Sequence, residues 1–194
     1  MRKIGHRDYF WQNDLVRLRW LQESDWEMFY VNRFDTPARL LVDYIVELPP
    51  TEKEAREVIE TFTNPETIRK NTMLAIEDLE GNVVGAINLN SVNERNGTFS
   101  IGLQIDGQHR GKGYGTAAMK LMMKYAFEER RLNKYYGSVL DGNVASAAML
   151  KKLGCQQEGV RRQMIYSGGM HHDEILFGLT RDDYEKLRQM ALCY

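Results

Sequence analysis

Residues 108 to 119 read QHRGKGYGTAAM. Glycine stands at every second position from Gly111 through Gly113 to Gly115, basic residues sit at Arg110 and Lys112, and a helix-forming segment follows at once from Thr116. A backbone without Cβ atoms can turn successive N–H groups toward one point and admit a ligand close to the main chain. A helix N-terminus adds unpaired amides and partial positive charge at the same point. The amides of residues 111 to 116 are therefore a candidate anion cradle, with phosphate as the natural guest. The same glycines also suit a plain connector between strand and helix. A P-loop needs four residues between its first glycine and a Gly-Lys-Ser/Thr, and the dinucleotide fingerprint needs G-x-G-x-x-G. This chain reads G-x-G-x-G and fits neither.

Charge is unevenly placed around this stretch. Residues 108 to 152 hold nine basic and three acidic side chains, whereas residues 23 to 60 hold ten acidic and four basic. One half suits a polyanion and the other a cation, although single charges of this kind are usually solvated helix faces. The net charge of the 194 residues is -1, which gives no ground for a nucleic-acid partner. No window approaches the length of a membrane span, and the start, MRKIGHRDYFWQND, lacks the apolar centre of a signal peptide. A cytoplasmic protein without a membrane partner is expected, with Cys155 and Cys193 as free thiols. Asn-Gly-Thr at residue 96 reads as a hairpin turn.

The chain shows no repeat and no linker, so an arm over residues 1–14 and one domain over 15–194 are expected. LVRLRWL alternates as a strand, and Ser24 or Asp25 opens a helix bearing Trp26, Phe29, Tyr30 and Phe34. Thr51 with Glu54 is a capping box for a second helix. TMLAIED and VVGAINLNSV form a hairpin, GTFSIGLQID adds a third strand, and the glycine-led helix follows to Arg131. YYGSVLD is a strand, NVASAAMLKKL a helix ended by Gly154, and the segment around Ser167, Gly168 and Gly169 a closing hairpin before a last helix. The expected order is strand, two helices, three strands, helix, strand, helix, two strands, helix. The arm's aromatic HRDYFWQ can line an acceptor pocket, form a subunit contact or simply cover the core.

RGKGYG resembles the Q/R-x-x-G-x-G/A element of the GNAT superfamily of acetyl-CoA-dependent N-acetyltransferases, with Arg110, Gly113 and Gly115 in the defining places. NVASAAMLKKLGCQQEG is similar to that family's second motif through Asn143, Ser146, Lys152, Leu153, Gly154, Glu158 and Gly159, and Arg161 or Arg162 with Asp173 continues the pattern of the branch resembling ribosomal-protein N-terminal (RimJ/RimL-like) acetyltransferases. The resemblance implies an α/β (α+β) GNAT fold: a mixed, mostly antiparallel twisted sheet of about seven strands, helices on both faces, and a splayed strand pair that takes the pantetheine arm of coenzyme A. It implies an acetyl-CoA cosubstrate, an amine acceptor that is a protein N-terminus or a small cationic amine such as a polyamine, and a homodimer.

Carried residue by residue, the resemblance assigns coenzyme binding to Arg110, Gly111, Lys112, Gly113, Tyr114, Gly115, Thr116, Asn143 and Ser146. On the strand FSIGLQI, Gly102 is a bulge candidate, and the N–H groups of Leu103, Gln104 and Ile105 face the thioester, that of Leu103 acting catalytically on the carbonyl. Many relatives protonate the leaving thiolate with a Tyr after the Leu of the second motif. Leu150 stands there, so Ser146 is the expected acid, with helix capping as its plain alternative. The base is open among Asn88, Asn90, Glu94 and water. Gly102-Leu103-Gln104, Ala117 and Cys155 depart from the family pattern. The alternative function is a coenzyme A-binding sensor without turnover. His171 and Asp173 share a strand face but are too few for a metal site, so none is expected.

Overall fold

The computed structural model describes residues 8–64 and 72–192. Seven strands form one sheet in the order β1-β2-β3-β4-β5-β7-β6. They are β1 Val16–Trp20, β2 Met73–Asp78, β3 Val83–Asn93, β4 Thr98–Ile105, β5 Lys134–Leu140, β6 Gln156–Ser167 and β7 Met170–Thr180. Every neighbouring pair is antiparallel except β4 and β5, which are parallel. The helices are α1 Trp26–Asn32, α2 Thr36–Val42, α3 Glu52–Thr63, α4 Tyr114–Lys124, α5 Val144–Lys152 and α6 Arg181–Leu192.

Local chemistry explains most boundaries. The β2–β3 turn closes on Asp78, whose carboxylate accepts the amides of Glu80 at 3.0 Å and Asn82 at 2.9 Å. The β6–β7 turn places Gly168 at φ +60° and Gly169 at +86°, the two left-handed residues of a tight hairpin. Thr51 and Glu54 cap α3 reciprocally, with the Thr51 amide donating to Glu54 at 2.7 Å. Asn96-Gly97 turns β3 into β4, with Gly97 at φ +65°.

Three expectations need correction. Between β1 and β2 there are three helices rather than two. Asp35 caps a separate α2 by accepting the Ala38 amide at 3.1 Å, and Phe34 falls in the intervening turn. The helix after the glycines begins at Tyr114, two positions before Thr116, and its last turn, Tyr125–Glu129, is a π-turn. Gly102 is not a bulge: β3 and β4 pair without interruption from Gly85↔Ile105 to Asn90↔Ser100, and the irregularity lies between Asn90 and Asn93.

The sheet buries both faces. On one, α4 lays Met119, Met122 and the following Phe127 against Ile87, Phe99 and Leu179. On the other, α3 and α1 bury Ile59 with Leu21 and Ala75, flanked by Trp26, Phe29 and Phe62. The described part of the N-terminal arm covers the α4 face. Trp11 packs on Tyr125 with ring centroids 4.7 Å apart, and Asn13 Nδ2 donates to the Ala117 carbonyl at 3.0 Å. His6, Arg7 and Cys193 lie outside the described residues. Among the described residues, no helix is long and apolar enough to cross a membrane.

Candidate functional site

The parallel pair β4–β5 joins only at Thr98↔Lys134 and Phe99↔Tyr135, yet the strands run on to Ile105 and Leu140. Beyond those pairs they part, leaving main-chain groups on the inner edge of β4. The direction of each amide follows from alternation. The Asp106 amide donates to the Val84 carbonyl at 3.0 Å, so the amides of even-numbered β4 residues point at β3 and those of Leu103 and Ile105 point into the gap. Gln104 therefore turns its amide away from the gap, and of the three expected N–H groups two remain available. Arg110 Nε occupies the Ile105 carbonyl at 3.1 Å.

Because β4 and β5 are parallel, the helices that follow them, α4 and α5, both start at the splayed end. Gly111 and Gly113 adopt φ +76° and +87°, a left-handed region that β-carbons disfavour. A Cβ at Gly111 would meet nothing within 4 Å, so the backbone, and not crowding, demands glycine there. Gly113 is the N-cap of α4, and the Ala117 amide closes the first intrahelical bond to its carbonyl at 3.0 Å. The amides of Tyr114, Gly115 and Thr116 thus remain as the free donors of the first turn. Gly115 serves a different purpose. A Cβ there would stand 3.3 Å from Leu103, 3.5 Å from Ile105 and 3.6 Å from Met149, at the point where α4, β4 and α5 converge.

The two polar groups expected at α5 are also placed there. Asn143 Oδ1 accepts the Ser146 amide at 3.2 Å, which makes it the N-cap. The half-buried Ser146 hydroxyl is bound by no described protein group. Lys112 is exposed in the glycine loop. Arg110 has a partner that sequence reasoning missed: its Nη1 lies 2.7 Å from Asp35 Oδ2, tying the glycine loop to the start of α2. Nothing local in either segment signals that contact.

Titration behaviour near the cleft follows burial. Desolvation pushes the Cys155 thiol up to about 12, and it also raises the Tyr135 phenol. Neither ionises near neutrality. No group of three or more His, Cys, Asp or Glu side chains converges as a metal site among the described residues. Asp173 accepts the Gln163 amide at 2.8 Å, and His172 Nε2 lies 3.0 Å from the Ser167 carbonyl.

A parallel strand pair that opens beside two helix N-termini, one led by a glycine loop, makes a cleft lined by free main-chain donors that suits an extended, anionic ligand. Residues 16–156 match the family model described as Acetyltransferase (GNAT) domain, and the chain belongs to that family of N-acetyltransferases. It is 28% identical over 176 residues to an uncharacterized N-acetyltransferase derived from the SPbeta prophage, YokL of Bacillus subtilis (strain 168), covering 91% of this chain and 96% of the relative. YdaF of the same organism, named a putative ribosomal N-acetyltransferase, is 35% identical over 106 residues, 55% of this chain and 58% of the relative. The structure of spermidine N-acetyltransferase from Vibrio cholerae in complex with CoA and spermine superposes with a TM-score of 0.76 at 19% identity, over 89% of this chain and 99% of that one. At that identity the likeness concerns the fold.

Proposed function

We propose that the chain transfers the acetyl group of acetyl-CoA to a primary amine by direct attack on the thioester. The observation that carries this reading is the gap between β4 and β5, with the Leu103 amide directed into it and the free amides of Tyr114, Gly115 and Thr116 at its mouth. The diphosphate of the coenzyme lies on those amides and the loop amides of residues 111 to 113, with Lys112 adding charge. The pantetheine arm then runs along the unpaired edge of β4 as an added strand, bounded by Asn143 and Ser146. The thioester carbonyl accepts from the Leu103 amide, which is aimed at the oxyanion that forms on attack. A donor so placed lowers the barrier by about 3 to 4 kcal/mol in favourable cases.

An amine nitrogen is protonated at neutral pH and must lose a proton before attack, while the departing thiolate must gain one. The Ser146 hydroxyl, uncommitted at the start of α5, is the donor to the thiolate. The test is release of free thiol from acetyl-CoA by the purified protein with a panel of primary amines, beside coenzyme A-induced thermal stabilisation. Amine-dependent thiol release is the expected result. Stabilisation without release for every amine would instead identify a coenzyme A-binding module, and absence of stabilisation by coenzyme A would remove the reading altogether.

A further inference from the structure

On the sheet face that carries α1 and α3, three residues meet at the lip of the gap. Asn88 Nδ2 donates to Asn90 Oδ1 at 2.7 Å, which leaves Asn88 Oδ1 turned toward β4. That oxygen lies over Gly102, Asn88's partner in the β3–β4 register. A Cβ at position 102 would overlap Asn88 Oδ1 and stand 3.0 Å from Asn90 Nδ2, so only glycine lets the carboxamide lie across β4. No described protein donor is bound to Asn88 Oδ1. Gly102 lies beyond the last β4–β5 pair and immediately precedes Leu103, whose amide enters the gap. Beside this trio opens a cavity of about 450 Å³ lined by Phe62, Thr72, Met73, Asn88, Asn90 and Ser91, and none of the described residues around it is charged.

We propose that this cavity is the acceptor site, that Asn88 Oδ1 accepts a hydrogen bond from the attacking amine, and that the amine is carried on an uncharged, partly apolar group. The inference rests on the acetyl transfer proposed above and names the acceptor class. Leu103 and Ile105 send their side chains toward α4, whereas Gly102 and Asn88 belong to the opposite face, so coenzyme and acceptor approach the thioester from the two sides of the sheet. A second ammonium on the acceptor would find no carboxylate among the described lining residues of this cavity. Of the carboxylates on β7 and in the β3–β4 turn, Glu174 and Glu94 are already ion-paired with Arg161 and Arg130, and Asp173 accepts the Gln163 amide.

The protons balance. Of the three on the entering ammonium, one leaves to water before attack while a remaining N–H is held by Asn88. The nitrogen lone pair then forms the C–N bond as the C–S bond breaks. A second proton leaves to solvent, offsetting the one the thiolate takes from Ser146, whose hydroxyl is then reprotonated. The third stays on the product amide.

Thiol release is measured with 2-phenylethylamine and with spermidine for the wild-type chain, Asn88→Ala and Gly102→Ala. The wild type is expected to favour 2-phenylethylamine in kcat/KM by about tenfold or more, and Asn88→Ala to lose about tenfold on that amine, the effect of one hydrogen bond to a reacting group, with KM for acetyl-CoA unchanged. Gly102→Ala, where it folds, is expected to match Asn88→Ala. Unchanged kcat/KM in Asn88→Ala, or preference for spermidine, overturns the inference while leaving acetyl transfer standing. Should neither amine release thiol, which is the failure of the parent reading, the side-chain amide resonance of Asn88 is followed by NMR as 2-phenylethylamine is added to the coenzyme A complex. A saturable shift supports the site, and no shift overturns it.

Discussion

Alanine placed singly at Gly111, Gly113 and Gly115 separates folding from ligand binding, because the three glycines are required for different reasons. At Gly111 and Gly113 the backbone is left-handed, and a Cβ meets nothing within 4 Å at the first and only Leu15 Cδ1, at 3.5 Å, at the second. The penalty is conformational, about 1–2 kcal/mol each, with no steric addition. For a chain of this length that lowers Tm by about 2–4 °C per kcal/mol. Gly115 is helical, so alanine gains about 0.8–1 kcal/mol of helix propensity, while its Cβ presses on Leu103 at 3.3 Å and Met149 at 3.6 Å. These effects oppose each other, and Gly115→Ala is expected to melt near the wild type. Binding behaves otherwise, since on the coenzyme placement proposed above a methyl at Gly111 or Gly113 crowds the diphosphate, whereas at Gly115 it turns toward Leu103, Ile105 and Met149 and disturbs the cradle only through them. Coenzyme A at a hundredfold excess over its Kd stabilises the wild type by about 2.7 kcal/mol, and a tenfold loss of affinity removes about 1.4 kcal/mol of that. Differential scanning fluorimetry with and without coenzyme A reads both quantities. A Gly113→Ala protein that keeps the whole ligand-induced shift would refute the placement of the diphosphate.

Ser146→Ala is expected to lower kcat by about a hundredfold, the usual share of a positioned acid, while the Asn143 cap and the coenzyme A-induced shift persist; an unchanged kcat would return Ser146 to a purely structural role. Native Cys155 is expected to resist iodoacetamide at pH 8 and to react after denaturation, because burial pushes its thiol up to about 12. Between about pH 9 and 12 the folded chain holds this proton and the unfolded chain releases it, so stability contributed by Cys155 declines as pH rises through that window, and Cys155→Ala is expected to flatten the decline in urea titrations. Asp25 is 5% exposed and binds Arg19 at 2.7 and 2.9 Å; Asp25→Ala is expected to cost about 2–4 kcal/mol in denaturant midpoint experiments, moderated because Arg19 keeps Glu77.

What the sequence disclosed and what it withheld divide along physical lines. The cap at Thr51, the turns at Asn96-Gly97 and Gly168-Gly169, and the glycine loop are governed by residues a few positions apart, and each is where the sequence puts it. The splayed strand pair was reachable only through family resemblance, because divergence of β4 from β5 depends on pairing across more than thirty residues. The short helix α2 does carry a local signal, the Asp35 cap with Pro37 in the first turn, which a reading keyed to apolar spacing passes over; the pairing of Asp35 with Arg110 is the part no local pattern records. Gly102 was read as a bulge because an isolated glycine in a strand usually marks one. Its actual reason, close approach of the Asn88 carboxamide, is a cross-strand contact that no single-strand pattern records.

The charge asymmetry shows the same limit and leads to a measurable difference between the two substrates. Ten acids in residues 23 to 60 suggest a surface for a cation. In the structure Asp25 is held by Arg19, Asp35 by Arg110, Asp43 by Arg33 and Arg39, Glu47 by Arg39 and Glu57 by Lys53. Five of those ten acids are therefore ion-paired, two of them with Arg19 and Arg110 from outside the stretch, and no described lining residue of the cavity at Asn88 is acidic. Lys112, by contrast, stands exposed in the glycine loop with no described partner. Exposed charges interact over about 10 Å at 0.1 M ionic strength and about 3 Å at 1 M. On the sites proposed above, raising the salt should accordingly increase KM for acetyl-CoA severalfold while leaving KM for 2-phenylethylamine nearly constant, since one substrate is an oligoanion meeting Lys112 and loop amides and the other enters a cavity whose described lining is uncharged. Initial rates measured at a series of sodium chloride concentrations decide it. If the KM of the amine climbed with salt as steeply as that of acetyl-CoA, the acceptor would be recognised by an anionic surface, and the acids of the N-terminal helices would again be candidates for it.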